Sequence, residues 1–173
     1  MEIERKNAVT LKGTPFTLIG TEIKVGQKAP DFSVLASDLS PVTLTSGKGQ
    51  TRLLISVPSL DTPVCDAETR RFNREAADLA GVETLVISVD LPFAQARFCK
   101  TADIKNLKTA SDHRDVSFGR AYGTLIKELR ILSRAIFVID SNDVVRYVEY
   151  VKESTNYPDY DAALNSLKQT VRT

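Results

Sequence analysis

Arg52-Leu53-Leu54-Ile55-Ser56-Val57 is a short apolar run halted by Pro58, and it is followed at once by a helical pattern and a second apolar run, Glu83-Thr84-Leu85-Val86-Ile87-Ser88-Val89-Asp90. Runs of this kind fit strands buried on both faces, as in a parallel sheet covered by helices. From Pro63 to Ala80, Phe72, Ala76 and Leu79 recur at i, i+4 and i+7, with Gly81 as the expected stop. Strand, helix and strand make a right-handed βαβ crossover, so the central sheet is expected to be at least partly parallel.

The flanking segments complete a mixed sheet. Val9-Thr10-Leu11 and Phe16-Thr17-Leu18-Ile19 alternate around the turn residues Lys12-Gly13-Thr14-Pro15, which predicts an N-terminal β-hairpin. Val25 to Phe32 carries the chain into a strand-and-loop region, and Ser46-Gly47-Lys48-Gly49-Gln50 marks a break. Pro92 opens a second helix that carries Cys99 near its end. Residues 135–140 and 144–150 flank Ser141-Asn142-Asp143 and read as an antiparallel pair. The segment from Asp161 to Thr173 places Leu164, Leu167 and Val171 on one helical face. The expected fold class is α/β, a mixed central sheet with helices on both faces, in a single domain over residues 1–173.

Charge narrows the function classes. Lys plus Arg number 23 against 22 Asp plus Glu, which leaves no basic surplus for nucleic acid or for an anionic membrane. The opening MEIERKNAVT is charged where a signal peptide is apolar, and no window reaches membrane-span length, so cytoplasmic residence is expected. Two cysteines in 173 residues are no disulfide framework, and with a lone His113 they make a poor zinc set. His113 lies in the polar stretch Ser111-Asp112-His113-Arg114 and reads as a surface residue.

The chemistry concentrates at Thr62-Pro63-Val64-Cys65. With Thr62 as N-cap and Pro63 at the first helical position, Cys65 falls in the first turn, where backbone N–H groups lack acceptors and the helix dipole favours an anion. Thiols at such sites titrate between roughly 3.5 and 7.5, against about 8.5 for a free one. A free cysteine is often only a small buried hydrophobe. A place at a strand's C-terminal end and a helix's N-terminus is instead where open α/β sheets put ligands. Asp61 and Asp66 would disfavour a thiolate by themselves, so a cation is expected to answer them.

Pro58-Ser59-Leu60-Asp61-Thr62-Pro63-Val64-Cys65 resembles the active-site pattern of the peroxiredoxins, Pro-x-x-x-Thr/Ser-x-x-Cys. The hairpin, the stretch from Gly26 to Phe32 and Ser133-Arg134-Ala135 through Asp140 extend the resemblance over nearly the whole chain, toward that family's bacterial thiol peroxidase branch. The resemblance implies a thioredoxin-like fold, Cys65 as the peroxidatic cysteine, Arg134 as the active-site arginine and Cys99 as the resolving cysteine. It also implies hydroperoxide substrates with a lean towards organic ones, a Cys65–Cys99 disulfide, thioredoxin as reductant, a homodimer, and no metal, haem or flavin.

On this reading Arg134 answers Asp61 and Asp66, holds the thiolate and donates to the peroxide oxygens. Thr62 is either a plain N-cap or a hydroxyl at the thiolate, since one lone pair cannot serve both. Pro58 ends the strand and shields the sulfur. A bridge to Cys99 requires Cα atoms within about 7 Å, so oxidation is expected to unwind local structure. A thiol–disulfide oxidoreductase would carry Cys-x-x-Cys, whereas Glu68 stands three residues after Cys65. A redox sensor using the same switch would react once and not turn over.

Overall fold

The computed structural model describes residues 1–173, and its elements follow from the patterns above with a few shifted ends. In chain order they are β1 (Glu4–Leu11), β2 (Thr14–Ile19), β3 (Ser33–Leu35), β4 (Pro41–Thr43), β5 (Thr51–Ser56), α1 (Pro63–Ala76), β6 (Val82–Ser88) and α2 (Pro92–Thr101). They continue with β7 (Lys108–Ser111), α3 (Ser117–Ala121), β8 (Leu125–Ile126), β9 (Ile131–Leu132), β10 (Ala135–Ile139), β11 (Val145–Tyr150) and α4 (Tyr160–Arg172).

Seven strands form the main sheet in the order β11-β10-β5-β6-β7-β3-β4. The β5–β6 and β6–β7 pairs are parallel, while β10 runs antiparallel to both β5 and β11. The sheet is therefore mixed, as expected, and every residue of β5 and β10 is buried. The period of two along a strand divides the core. Leu54, Leu85, Ile87, Phe137 and Ile139 face one side with Phe118 of α3 and Ile19 of the hairpin. Leu53, Ile55, Val86, Ile136 and Val138 face the other with Cys65 and Phe72 of α1 and Leu164 and Leu167 of α4. Helices thus cover both faces, one of them shared with a four-stranded sheet, β1-β2-β8-β9, that the N-terminal hairpin builds.

Most strand ends differ from the sequence reading by one or two residues, and three departures are larger. The hairpin turn is only Lys12-Gly13, with φ of 50° and 80°, so Thr14 and Pro15 already belong to β2. Two successive left-handed residues match the twist of the flanking strands, which a four-residue turn would not need to do. Helix α1 stops at Ala76, four residues before Ala80, and Leu79 packs on the core from the following turn. In α4, Leu164 and Leu167 are buried with Ala163, but Val171 is 41% exposed because the helix runs past the edge of the core. The stretch between Lys105 and Leu132 had no assignment from periodicity; it folds into β7, α3, β8 and β9, pieces of two to five residues too short to show a period.

No helix is long and apolar enough to cross a membrane. The charged Arg52, 1% exposed at the start of β5, is held by Leu44 O, Asp140 O and the Asp143 carboxylate. It secures the end of β5 opposite to Pro58, so that the strand delivers its C-terminal end to a fixed place.

Candidate active site

Strand β5 ends at Ser56, Val57 donates to Ile87 O (3.0 Å), and Pro58 is buried where the pairing ends. Proline has no N–H to continue a ladder, so the chain leaves the sheet there. Four residues later Thr62 adopts an extended conformation (φ −126°, ψ 147°), Pro63 takes the first helical position, and α1 begins. The first ring bond of the helix runs from Asp66 N to Thr62 O (2.9 Å). The N–H groups of Val64 and Cys65 precede it and have no intrahelical acceptor, as the sequence reading expects for a first-turn thiol.

Thr62 does not cap the helix with its side chain. Its Oγ1 donates instead to Ser59 O at 2.9 Å, which folds the loop before the helix into a tight turn. The side-chain cap is therefore absent, and the hydroxyl's one proton is engaged with Ser59 O.

Cys65 is fully buried, with Leu53, Ile55, Val57, Leu60 and Phe72 in the same apolar cluster. Arg134, 1% exposed just before β10, reaches it across the sheet: its Nη2 lies 3.3 Å from Cys65 Sγ and 2.9 Å from Ser154 O, and its Nε lies 3.2 Å from the same carbonyl. Nη1 pairs with Glu68, which is wholly buried one turn along α1 from Cys65. The expectation that Arg134 answers Asp61 and Asp66 is therefore corrected. Asp61 is exposed, and Asp66 pairs with Arg70 at 2.6 Å on the helix surface. Glu68 takes the guanidinium because it shares the inward face of α1 with Cys65, Thr69 and Phe72, whereas Asp66 points away.

Two acids thus share one buried guanidinium. Burial pushes the Glu68 carboxyl up to about 7, and the Arg134 charge only partly offsets this. Burial acts against the charge on Arg134, but Glu68 and Cys65 together outweigh it and hold the guanidinium above its usual range. Oε1 of Glu68 has no hydrogen-bond partner, nor do Thr69 Oγ1, Ser133 Oγ and Ser154 Oγ nearby in sequence to Arg134 and its partners. Glu68 escaped the sequence reading except as the residue that breaks a Cys-x-x-Cys pattern. An acid three residues from the thiol on a buried helical face was the available signal.

Cys99 lies near the end of α2, half-buried, with Sγ 3.5 Å from Thr109 Oγ1 on β7. Burial raises its pKa, and the contact with Thr109 opposes the shift. Both cysteines are free thiols. Between their helices lie two adjoining cavities of about 340 and 390 Å³, which share Leu60, Asp61, Phe98 and Thr101 in their walls. Neither cysteine lines them. His113 is half-buried, its Nδ1 2.9 Å from Ser111 Oγ, and takes no part at Cys65.

A sequence model described as Redoxin matches residues 24–164, which include this whole constellation. The chain belongs to the Redoxin family. Among its relatives, a thiol peroxidase from Halalkalibacterium halodurans is 63% identical over 161 residues, 93% of this chain and 97% of the relative. A thiol peroxidase from Bacillus subtilis is 52% identical over 164 residues, 95% of this chain and 98% of its own. The crystal structure of a peroxiredoxin-like protein from Aquifex aeolicus superposes with a TM-score of 0.89 at 44% identity, over 95% of this chain and 97% of that one. The Redoxin fold here is thioredoxin-like, as the resemblance implied.

Proposed function

We propose that this chain, a peroxidase of the Redoxin family, reduces hydroperoxides at Cys65, with hydrogen peroxide and organic hydroperoxides as substrates. The observation that carries the reading is the 3.3 Å approach of Arg134 Nη2 to Cys65 Sγ at the start of α1. In the reaction the Cys65 thiolate attacks one peroxide oxygen, the S–O bond forms as the O–O bond breaks, and the second oxygen leaves with the electron pair. Arg134 serves this step twice. It balances the thiolate before attack, and its N–H groups stand where charge moves onto the leaving oxygen. Thr62 Oγ1, whose one proton is engaged with Ser59 O, is left to accept from the protonated oxygen of the peroxide, and Pro58 closes the site towards the strand.

The product is a Cys65 sulfenic acid, which condenses with Cys99 to a disulfide and releases water. A thioredoxin-class dithiol then restores both thiols by exchange. No step calls for a metal, haem or flavin. The reading includes a single domain over residues 1–173, a homodimer and cytoplasmic residence. The test is peroxide consumption driven by thioredoxin and its reductase, combined with non-reducing mass spectrometry after one equivalent of hydroperoxide. The expected result is a monomer mass with no free thiol, a peptide linking Cys65 to Cys99, and loss of turnover in Cys65→Ser. Turnover that survives Cys65→Ser overturns the reading.

A further inference from the structure

Asp90, the residue before the N-cap of α2, joins the loop that leads into the Cys65 helix to the strand end that leads into the Cys99 helix. Its Oδ1 accepts from Ser59 Oγ at 2.7 Å and its Oδ2 from Leu60 N at 2.8 Å, both in the loop that precedes α1. On the other side it is built into the ends of the parallel strands. Ser88 Oγ donates to Oδ2 at 2.6 Å, and Ser111 Oγ donates to Asp90 O. Gln95 Nε2 of α2 donates to Ser88 Oγ (3.0 Å) and to Ala110 O (2.9 Å). Asp90 is thus fixed to the rigid sheet by several bonds and to the Cys65 loop by two.

The placement of the thiols shows why this joint matters. Cys65 faces the apolar cluster under α1, while Cys99 opens onto a different cavity, of about 480 Å³, with Leu85 and Leu107 in its wall. Phe98, the neighbour of Cys99, lines both cavities that lie between the helices. A disulfide requires the start of α1 and the end of α2 to turn into that space. The Ser59 and Leu60 bonds to Asp90 resist the first of these movements.

We propose that Asp90 is a positioning residue that holds the Cys65 loop closed for attack on peroxide and sets how fast the loop opens for disulfide formation. The inference rests on the Cys65–Cys99 cycle proposed above. In the step concerned, the Cys99 sulfur attacks the sulfur of Cys65–SOH, the S–S bond forms, the S–O bond breaks, and the hydroxyl leaves as water with the Cys99 proton. A sulfenic acid that waits too long meets a second peroxide and becomes sulfinic acid. Asp90 therefore tunes the partition between recycling and irreversible oxidation.

Rapid-quench alkylation and mass spectrometry of the full-length parent, Asp90→Asn and Ser59→Ala, each mixed with hydroperoxide, test this. Asparagine removes the charge that strengthens both loop bonds, leaving at most neutral ones with the Ser59 hydroxyl turned round to accept, so the joint is weakened. Disulfide formation is expected to accelerate about fivefold, and the sulfinic fraction at matched peroxide to fall in proportion, corresponding to about 1 kcal/mol for a hydrogen bond. Ser59→Ala, which removes the bond to Asp90 and the 3.2 Å bond that Asp61 N donates to the same oxygen, should act in the same direction and keeps the question open to test should Asp90→Asn fold poorly. A purely structural role would lower stability without moving the ratio of disulfide to sulfinic acid, and an unchanged or slower disulfide step in variants whose parent forms the linked peptide overturns the proposal. A parent that forms no Cys65–Cys99 peptide overturns the cycle itself, and the proposal with it.

Discussion

The guanidinium of Arg134 meets the sulfur of Cys65 across 69 positions of sequence, with 3.3 Å between Nη2 and Sγ and both residues buried. The same guanidinium is paired with Glu68 and anchored twice on Ser154 O. A planar, forked cation can hold all three partners at once, and an ammonium cannot.

Arg134→Lys should therefore lower the rate of the first peroxide step by about 10²- to 10³-fold, the range for losing a preorganised donor at developing charge. Arg134→Ala should in addition destabilise the fold by about 3–5 kcal/mol, because Glu68 is left buried without its partner. Stopped-flow kinetics of the first turnover and urea unfolding measure the two effects separately. An Arg134→Lys protein that reacts at the parent rate would contradict the role assigned to the fork.

Glu68 makes stability fall with pH. Its carboxyl titrates at about 7 in the fold against an ordinary value of 4.5, so between these values the folded chain binds more protons than the unfolded one. The contribution is full below about 4.5 and is lost as pH rises through about 7. Glu68→Gln has no such proton to lose, so its stability relative to the parent should improve from pH 5 to pH 8, by on the order of 1–3 kcal/mol. Parallel urea melts across that range check the sign, and a constant difference would count against a shared, burial-raised carboxyl.

At Thr62 the role proposed at the peroxide can be tested apart from helix capping. Because its Oγ1 donates to Ser59 O rather than accepting from the helix, Thr62→Ser should keep both stability and rate. Thr62→Val should cost no more than about 1 kcal/mol of stability, the worth of one hydrogen bond, while slowing peroxide reduction by about 10²-fold. Melting temperature and first-turnover rate, read on the same preparations, decide the point.

Oxidation should loosen both helix segments. Hydrogen exchange of the disulfide form is expected to show lost protection at residues 59–66 and 97–102 and retained protection in β5, in β10 and in β6 from Thr84 onward, where every residue is buried. Unchanged protection at both cysteine segments would mean that the bridge forms without unwinding.

The sequence by itself determined the elements whose signals are local. The apolar runs of β5 and β6, the proline that ends one and the proline that opens α1 locate Cys65 at a strand end and a helix start, and the turn residues Ser141-Asn142-Asp143 between β10 and β11 predict their pairing. The two positive-φ residues at Lys12-Gly13 and the early end of α1 shift these boundaries only slightly. What only the tertiary structure decided is who meets whom. The resemblance marks Arg134, but the sequence points its charge at Asp61 and Asp66, because charge in a sequence carries no direction; the inward face of α1 selects Glu68. Asp90 reads as the polar end of a strand until the sheet brings Ser59, Leu60, Ser88 and Ser111 around it. Local propensities act over a few residues, whereas partners 30 or 69 positions apart are chosen by how the buried faces stack, a property of the packed whole.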